Sequence, residues 1–383
     1  MRKKIPLLRL PYTKNERSYI SKGLQEILNS GFLTMSKKVT HFEELFAKFI
    51  GTKFAVAVNS GTSALEIPLR ALRVKGKTII IPTNTFMATP LAALHAGAKV
   101  VFADISSKTL SIDPKEIEKR ITNNTVGVIP VHIGGIISSQ WKEIEKICKS
   151  NNLFILEDAA HAHGSEINNK KAGTLGVAAA FSFYPTKILN TGEGGMITTN
   201  DKSLYKKFIT LRDHGKENPK KNIHTDLGYN WRMAEITALL GIQQVKKVNK
   251  ILYERKKQAD LYNKILINTP NLKLQEIPKH LKSSYYKYIV FVNKSIRDKI
   301  KIKMLKNFGI ALPGEVYNTL CHSQPVLKKD KNLLVKKGDQ SFKIAKRISS
   351  EQLCLPLYPG LKDTEIKYVA YSLKKLLNDF VEY

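Results

Sequence analysis

The sequence has few cysteines and no long apolar run. Its 383 residues include three cysteines, Cys148, Cys321 and Cys354, which lie far apart in the chain. An odd number of distant cysteines implies neither a disulfide framework nor a zinc site built from thiolates. No apolar run approaches the roughly 20 residues that a transmembrane helix needs. The composition therefore argues against a disulfide-stabilised scaffold and against a membrane-spanning protein.

The histidines and the N-terminal segment also lack recognisable patterns. The nine histidines form no HExxH motif, and His161 and His163 stand two residues apart without a third ligand nearby. Met1–Tyr12 is basic and then apolar, but Arg9 and Pro11 interrupt it before the apolar core of a signal peptide can form. We therefore predict no metal ion, no membrane association and a cytoplasmic location.

Acidic residues are scarce. The chain has 63 Lys and Arg against 32 Asp and Glu, which gives a net charge of +31. Such an excess could bind a polyanion, and the salt dependence of any DNA binding would test that alternative. The lysines, however, are scattered along the whole length, without a basic tail or an aromatic–basic platform. We therefore interpret the positive charge mainly as a bias of composition without a functional role, and we predict no nucleic-acid partner. Some of the basic residues are expected to bind phosphates locally.

Short apolar runs that alternate with helical patterns indicate an α/β fold. Strands that are buried on both faces of a sheet have continuous apolar sequences. Seven strands are predicted, at residues 54–58, 78–82, 99–105, 125–133, 153–156, 178–183 and 195–199. Their alternation with helices predicts a mostly parallel seven-stranded sheet that is covered on both faces.

The length of the chain suggests two domains. An apolar helix is predicted over residues 228–248, and a further helix continues to about Leu261. We place the domain boundary in this helical region, which gives a large domain at residues 1–250 and a small α+β domain at residues 251–383. The small domain is predicted to contain a strand at residues 285–293 and to end in a helix.

The stretch from Leu153 to Thr199 carries the clearest chemical signal. One apolar strand ends on Glu157 and Asp158, and another leads into Tyr-Pro-Thr and then Lys187. Both side chains would lie at strand ends, where open α/β sheets bind ligands. A lysine can form a Schiff base with pyridoxal phosphate, and an aspartate can keep the pyridine nitrogen of that cofactor protonated. The alternatives are that Asp158 caps a helix and that Lys187 is a surface lysine.

Two further features suit the same cofactor. The strand at residues 54–58 runs into Asn59-Ser60-Gly61-Thr62-Ser63, and a helical pattern starts at once. The N–H groups and positive dipole end of such a helix favour a phosphate, although a capped helix after a tight turn explains the same pattern. Phe86 follows the second strand and could lie against a planar ring or anchor the core.

Taken together, these motifs resemble the DegT/DnrJ/EryC/StrS family of pyridoxal-phosphate sugar aminotransferases. The resemblance rests on SGTSAL, PTNTFMAT, LEDAAHAHGS, FSFYPTK, GEGG and GYNWRM, in that order, and it covers nearly the whole chain. It implies the aspartate-aminotransferase-like fold, known as fold type I, in which two subunits of a homodimer build each active site. It also implies pyridoxal 5'-phosphate as the cofactor, with pyridoxamine 5'-phosphate as its amino-carrying form.

The resemblance assigns roles to the residues around the cofactor ring. Lys187 matches the lysine that binds the cofactor covalently and later carries a proton. Asp158 matches the partner of the ring nitrogen, and Phe86 matches the aromatic residue that stacks on one face of the ring. His161 matches a position that contacts the ring and its 3-hydroxyl group.

The resemblance also assigns the residues around the cofactor phosphate. Thr62 and Ser63 match the turn that holds this phosphate, and Ser182 joins them. Asn230 matches a residue that reaches the phosphate from the neighbouring subunit. For Asn230, an ordinary helix cap is the alternative.

The implied reaction converts a keto-sugar to an amino-sugar, with glutamate as the implied amino donor, in the biosynthesis of a surface polysaccharide or another glycan. A sugar dehydratase of the same fold is one alternative, but those enzymes carry a histidine at the position of Lys187. A non-catalytic relative is another, and the presence of both Lys187 and Asp158 argues against it.

The sequence departs from the family on the substrate side. Met35-Ser36 follows Thr34 of the first loop, where relatives often have Gly-Pro. His132–Gly135 lacks the aromatic residue common at this strand end, and Gly314–Pro325 is a variant of a substrate-facing loop. They leave open the sugar, which is nucleotide-linked or another anionic sugar such as an octulosonate. An anionic sugar needs cationic contacts, for which Arg212, Arg232 and His322 are the candidates. For each of the three, a structural role is the alternative and the more strongly favoured one.

Overall fold

The computed structural model describes residues 4–10, 12–218, 221–329 and 333–380. Part of the predicted N-terminal pattern, including Pro11, lies outside the described residues. The helices are α1 Lys14–Ser30, α2 Lys37–Ile50, α3 Gly61–Ala71, α4 Ala88–His95, α5 Pro114–Glu118, α6 Trp141–Ser150, α7 Lys202–Arg212, α8 Glu235–Lys246, α9 Val248–Leu266, α10 Lys294–Phe308, α11 Pro325–Lys329, α12 Lys343–Glu351 and α13 Asp363–Asp379.

The strands form one large sheet and two small ones. They are β1 Phe54–Val58, β2 Thr78–Pro82, β3 Lys99–Ala103, β4 Thr125–Val128, β5 Phe154–Asp158, β6 Glu166–Ile167, β7 Lys170–Lys171, β8 Ala178–Ser182, β9 Gly195–Thr199, β10 Lys273–Leu274, β11 Leu281–Lys282, β12 Tyr288–Phe291 and β13 Gln352–Leu355. The small sheets have the orders β10-β12-β13 and β11-β6-β7.

The large sheet confirms the predicted α/β architecture. Its seven strands have the order β1-β9-β8-β5-β4-β2-β3. The strand β9 is antiparallel to both of its neighbours, and the pairs from β8 to β3 are all parallel. The strand β1 therefore runs in the same direction as β8. As a result, the carboxyl ends of β1, β2, β5 and β8 lie at one edge of the sheet.

Alternate residues of the strands enter two hydrophobic cores on opposite faces of the sheet. Ile80 packs with residues of α2, α6 and α8, whereas Ile79 and Ile81 pack with residues of α3, α4 and α7. Side chains of successive strand residues point to opposite faces, so a fully apolar strand fills both cores. Burial of each such side chain contributes roughly 1.5–3 kcal/mol.

The helix predicted over residues 228–248 begins later than expected. Residues 228–234 are not helical, and α8 starts at Glu235. Asn230 forms an isolated bridge with Asp213 instead, so the helix-cap alternative for Asn230 is wrong. The carboxylate of Glu235 accepts N–H groups from Ser36, Lys38 and Val39, which fixes the start of α2. Bridges of residues 228–234 to Thr34, Val58 and Asp213 hold this segment extended despite its apolar sequence.

The C-terminal elements build a third hydrophobic core from α9, α10, α13, β12 and β13. Ile5, near the other end of the chain, packs into the same core. The division at residue 250 stays a prediction, and α9 begins at Val248, close to it. Among the helices of the described ranges, none has the length and apolar character needed to cross a bilayer.

Candidate active site

A cavity of about 580 Å³ opens at the sheet edge where the carboxyl ends of β1, β2, β5 and β8 meet. The topology alone brings these ends together, as in other open α/β sheets. Six of the residues predicted from the sequence line this cavity: Thr62, Phe86, Asp158, His161, Ser182 and Lys187.

Asp158 is the last residue of β5 and is 5% exposed. Its carboxylate accepts a hydrogen bond from the Thr89 hydroxyl at 2.7 Å and one from the Ala160 N–H at 3.2 Å. Burial raises the pKa of the Asp158 carboxyl, and the Thr89 hydroxyl, the Ala160 N–H and the Lys187 cation oppose that rise. Residues 159–165 form no helix, so the helix-cap alternative for Asp158 is wrong.

Lys187 follows β8 in the chain and lines the same cavity. Its Nζ is 4.9 Å from the centre of the Tyr286 ring, where the π-electrons attract a cation. Burial lowers the pKa of Lys187 to about 8, and the nearby Asp158 carboxylate opposes the shift. A lysine with this pKa is partly neutral near pH 7, and the neutral amine is the form that attacks a carbonyl.

His161 sits between two tyrosines that the sequence did not single out. Its ring stacks on Tyr286 with centroids 4.1 Å apart, and its Nε2 is 3.2 Å from the Tyr317 hydroxyl. Burial holds the pKa of His161 well below its usual value, and the charge on Lys187 lowers it further, so the ring is neutral. Its buried Nδ1 has no hydrogen-bond partner among the described residues.

A sequence signal existed for only one of the two tyrosines. Tyr317 falls in the Gly314–Pro325 loop, which the family resemblance marks as facing the substrate. Tyr286 lies just before β12, in a run of apolar and aromatic residues that looks like an ordinary strand. Only the fold shows that Tyr286 contacts both His161 and Lys187.

The N-terminus of α3 forms one wall of the cavity. The Ser60 hydroxyl accepts the Ser63 N–H at 3.1 Å, while the N–H groups of Gly61 and Thr62 have no acceptor within the helix. The Ser63 hydroxyl donates to Asn59 Oδ1 at 2.5 Å, so it is occupied within the turn, and Ser63 does not line the cavity. A Cβ at Gly61 would lie 2.7 Å from Ser182 Cβ. The close approach to Ser182 therefore requires glycine.

Phe86 is 60% exposed and lines the cavity, so the core-anchor alternative is wrong. Its ring lies 5.9 Å from that of Tyr317. Phe86 therefore offers an aromatic face to a planar ligand.

The remaining predicted residues lie away from this cavity. Asn230 is exposed, and its carbonyl accepts a hydrogen bond from Asn59 at 3.3 Å. Arg212 pairs with Glu43 at 2.5 Å and Arg232 pairs with Asp213 at 2.5 Å, while His322 bonds the Thr83 hydroxyl at 2.6 Å. None of the four is among the described residues that line the cavity, so the three candidates for contacts to an anionic sugar have structural partners instead.

No group of three or more His, Cys, Asp or Glu side chains that could hold a metal ion occurs in the part of the chain that the structure describes. The residues of the cavity fit pyridoxal phosphate instead. A lysine of lowered pKa, a buried carboxylate, an exposed aromatic ring and a helix N-terminus match the aldehyde, the ring nitrogen, the ring face and the phosphate of that cofactor. The fold and the site together define a fold type I enzyme that depends on pyridoxal phosphate.

The chain belongs to the DegT/DnrJ/EryC1/StrS aminotransferase family, whose model matches residues 14–374. It is 37% identical over 363 residues to UDP-4-amino-4,6-dideoxy-N-acetyl-beta-L-altrosamine transaminase of Campylobacter jejuni, covering 93% of this chain and 94% of that protein. It is 30% identical over 387 residues to GDP-perosamine synthase of Escherichia coli O157:H7, covering 98% and 100%.

The fold comparison agrees. The structure of NtdA from Bacillus subtilis, which contains the bound cofactor PMP, superimposes with a TM-score of 0.88 at 28% identity. The match covers 98% of this chain and 85% of that one. The protein is therefore an aminotransferase that depends on pyridoxal phosphate, as the sequence resemblance predicted.

Proposed function

We propose that the protein transfers an amino group from glutamate to a nucleotide-linked keto-sugar, and that the amino-sugar enters a surface polysaccharide or another glycan. The observation that carries the proposal is the convergence of Lys187, Asp158 and the α3 N-terminus on one cavity. The names of the Campylobacter jejuni and Escherichia coli relatives, a UDP-sugar transaminase and a GDP-sugar synthase, support the substrate class.

The cavity residues would hold pyridoxal phosphate, which when bound supplies a reactive carbonyl and an electron-withdrawing ring. The N–H groups of Gly61 and Thr62 and the Ser182 hydroxyl would hold its phosphate. Asp158 would accept the ring N–H, whose positive charge would lower the pKa that burial raises. Phe86 would cover one face of the ring.

Lys187 would move the proton. Its amine lies over the Tyr286 ring in the cavity that Asp158 also lines, and its pKa of about 8 lies near neutral pH. A group with such a pKa can both accept and donate a proton at a useful rate, because neither form is rare. Lys187 would therefore take the proton from the donor carbon and return one to the sugar carbon.

The test is an amino-transfer assay with the purified protein. Glutamate and a panel of UDP-linked and GDP-linked keto-sugars are supplied, and both 2-oxoglutarate and the mass change from ketone to amine are measured. The expected result is stoichiometric formation of 2-oxoglutarate and an amino-sugar with at least one nucleotide-linked ketone. Loss of a sugar hydroxyl without amine incorporation would support the dehydratase alternative instead, and preferred turnover of an uncharged ketone would contradict the proposed substrate class.

We further propose that the protein works in the cytoplasm as a homodimer with shared active sites. An apolar group near the end of α1 supports association. Phe32 and Leu33 are 67% and 52% exposed, and Ile236 is 42% exposed. Leu33 and Ile236 are close, because the Leu33 carbonyl accepts the Glu235 N–H. Association would cover these side chains, since contiguous exposed apolar patches are typical of protein interfaces. In such a dimer Asn230 would reach the phosphate site of the partner.

Hybrid dimers test the shared site. Lys187→Ala and Asn230→Ala proteins are each expected to be inactive or nearly so. Mixing them after mild dissociation should restore up to about a quarter of the wild-type activity per site. Random exchange makes half of the dimers hybrids, and each hybrid has one intact site out of two. Mixing Lys187→Ala with Asp158→Asn is the control, since both residues would lie on one subunit. Equal recovery in both mixtures, or a monomer by light scattering, would contradict the proposal.

A further inference from the structure

Lys187 borders a second cavity besides the one described above. This cavity has a volume of about 340 Å³ and lies between residues 8–10 and 12–16, α8, α9 and the loop at residues 359–360. Lys187 is the one residue that lines both cavities in the described part of the chain. A ligand in the smaller cavity would therefore approach Lys187 from a different direction than a ligand in the larger one.

The smaller cavity contains a buried arginine that pairs with no carboxylate of the described residues. Arg255 of α9 is 2% exposed and lines the cavity. Its Nη1 donates to the carbonyls of Tyr285 at 2.9 Å and Leu357 at 3.2 Å. Its Nε is buried and has no hydrogen-bond partner among the described residues. Burial lowers the pKa of Arg255 to about 10, which is still well above neutral, so the group stays charged.

A buried cation of this kind is costly unless an anion or hydrogen bonds compensate it. The other charges of the cavity do not neutralise it. Glu16 pairs with Lys247 at 2.8 Å and Arg9 pairs with Glu365 at 2.8 Å, while Lys250 adds positive charge against Glu254. The cavity is therefore electropositive around a planar guanidinium, which binds carboxylates through paired N–H groups.

We propose that the Arg255 cavity binds the distal carboxylate of a dicarboxylic amino donor. The proposal rests on the proposed function and deepens it. It assigns the side chain of the donor to the smaller cavity and the sugar to the larger one, with Lys187 bordering both. The volume supports the division. A cavity of 340 Å³ lies at the lower end of the range for ligand pockets and suits a small acid, whereas the 580 Å³ cavity has more room for a sugar.

Binding of glutarate to the holoenzyme, measured by calorimetry, is the primary test. Glutarate has two carboxylates and no amino group, so it binds without reacting. Arg255→Met is expected to weaken glutarate binding at least about tenfold, because a desolvated charge-assisted pair is lost. Arg255→Lys should restore part of the affinity. Pentanoate, which has one carboxylate, should bind weakly and respond little to the substitution.

Two further variants guard against a folding artefact. Lys250 is an exposed residue of the same cavity, and Lys250→Met should weaken glutarate binding roughly two- to fivefold, the range that an exposed charge contributes. Arg120 is another fully buried arginine that donates to backbone carbonyls, but it lines neither cavity. Arg120→Met should leave glutarate binding unchanged.

Kinetics separate this inference from the proposed function. Arg255→Met should raise the KM for glutamate at least about tenfold and leave the KM for the keto-sugar unchanged. Unaltered glutarate binding and glutamate KM would overturn the inference while amino transfer stands. Arg255-dependent glutarate binding without transfer to any keto-sugar would support the site and contradict the function. Inorganic phosphate that competes as well as glutarate would overturn the carboxylate assignment.

Discussion

Lys187→Ala is expected to abolish turnover and covalent attachment of the cofactor together. Positioned groups that transfer protons contribute roughly 10²–10⁴-fold to enzymatic rates, and the loss of the covalent bond adds to this deficit. The variant should still bind pyridoxal phosphate, because Asp158 and the α3 N-terminus are intact. Added methylamine should form the imine in its place without restoring full turnover.

The measurement is reduction of the holoenzyme with borohydride followed by peptide mass spectrometry. The phosphopyridoxyl group should be found on the peptide that contains Lys187. Lys287 lines the same cavity and provides the matched control, since Lys287→Ala should leave the label at Lys187. A label on any other lysine would refute the assignment.

The pH dependence of attachment follows from the same environment. The pKa of Lys187 is about 8, below the usual lysine value of 10.5, because burial disfavours the charged amine. Only the neutral amine reacts with an aldehyde, so the fraction that can react falls about tenfold per pH unit below pH 8. The rate at which pyridoxal phosphate attaches to the cofactor-free protein should therefore rise with pH until about pH 8 and stay constant above it. A rise that continues to pH 10 would show an ordinary, solvated lysine.

Asp158→Asn is expected to lower turnover by several orders of magnitude while the fold is retained. An amide has no negative charge to keep the ring nitrogen protonated, so the ring draws electrons from the substrate carbon poorly. The Ala160 N–H can still bond the amide oxygen, and the amide NH2 can donate to the Thr89 hydroxyl, which limits the loss of folding stability.

Two readouts distinguish this effect from simple destabilisation. The affinity for pyridoxal phosphate should fall and the absorption of the bound cofactor should change, while the melting temperature stays close to that of the wild type. Asp104 supplies the control, because its carboxylate accepts the N–H groups of Ile344 and Ala345 outside the cavity. Asp104→Asn should lower stability and leave the absorption unchanged. Near-normal turnover in Asp158→Asn would mean that Asp158 does not contact the ring nitrogen.

The local parts of the site could be predicted from the sequence. A strand followed at once by Ser60, Gly61 and a helix specifies its own geometry, because the cap and the helix N-terminus depend on neighbouring residues. The same holds for Asp158, which ends an apolar strand, and for Lys187, which comes shortly after one. Since the carboxyl ends of parallel strands share one edge, their meeting at a single cavity follows from the predicted sheet.

Contacts between distant segments could not be predicted in this way. Residues 228–234 have an apolar sequence, yet bridges to Thr34, Val58 and Asp213 keep them extended. For Arg212 and Arg232 the sequence left a ligand contact and a structural role both open, and only the fold identifies their carboxylate partners, Glu43 and Asp213. Secondary-structure propensity and hydrophobic periodicity depend on residues that are close in the sequence. Bonds between distant residues can therefore override the conformation that these local patterns predict.

The sequence by itself therefore determined the α/β class, the seven strands and the lysine–aspartate pair, because each depends on short-range patterns. Only the tertiary structure decided what surrounds that pair. Tyr286 and Tyr317 reach His161 from 125 or more positions further along the chain, and Arg255 reaches the second cavity beside Lys187 from α9. Their positions depend on how the C-terminal part packs against the sheet, which no local pattern encodes.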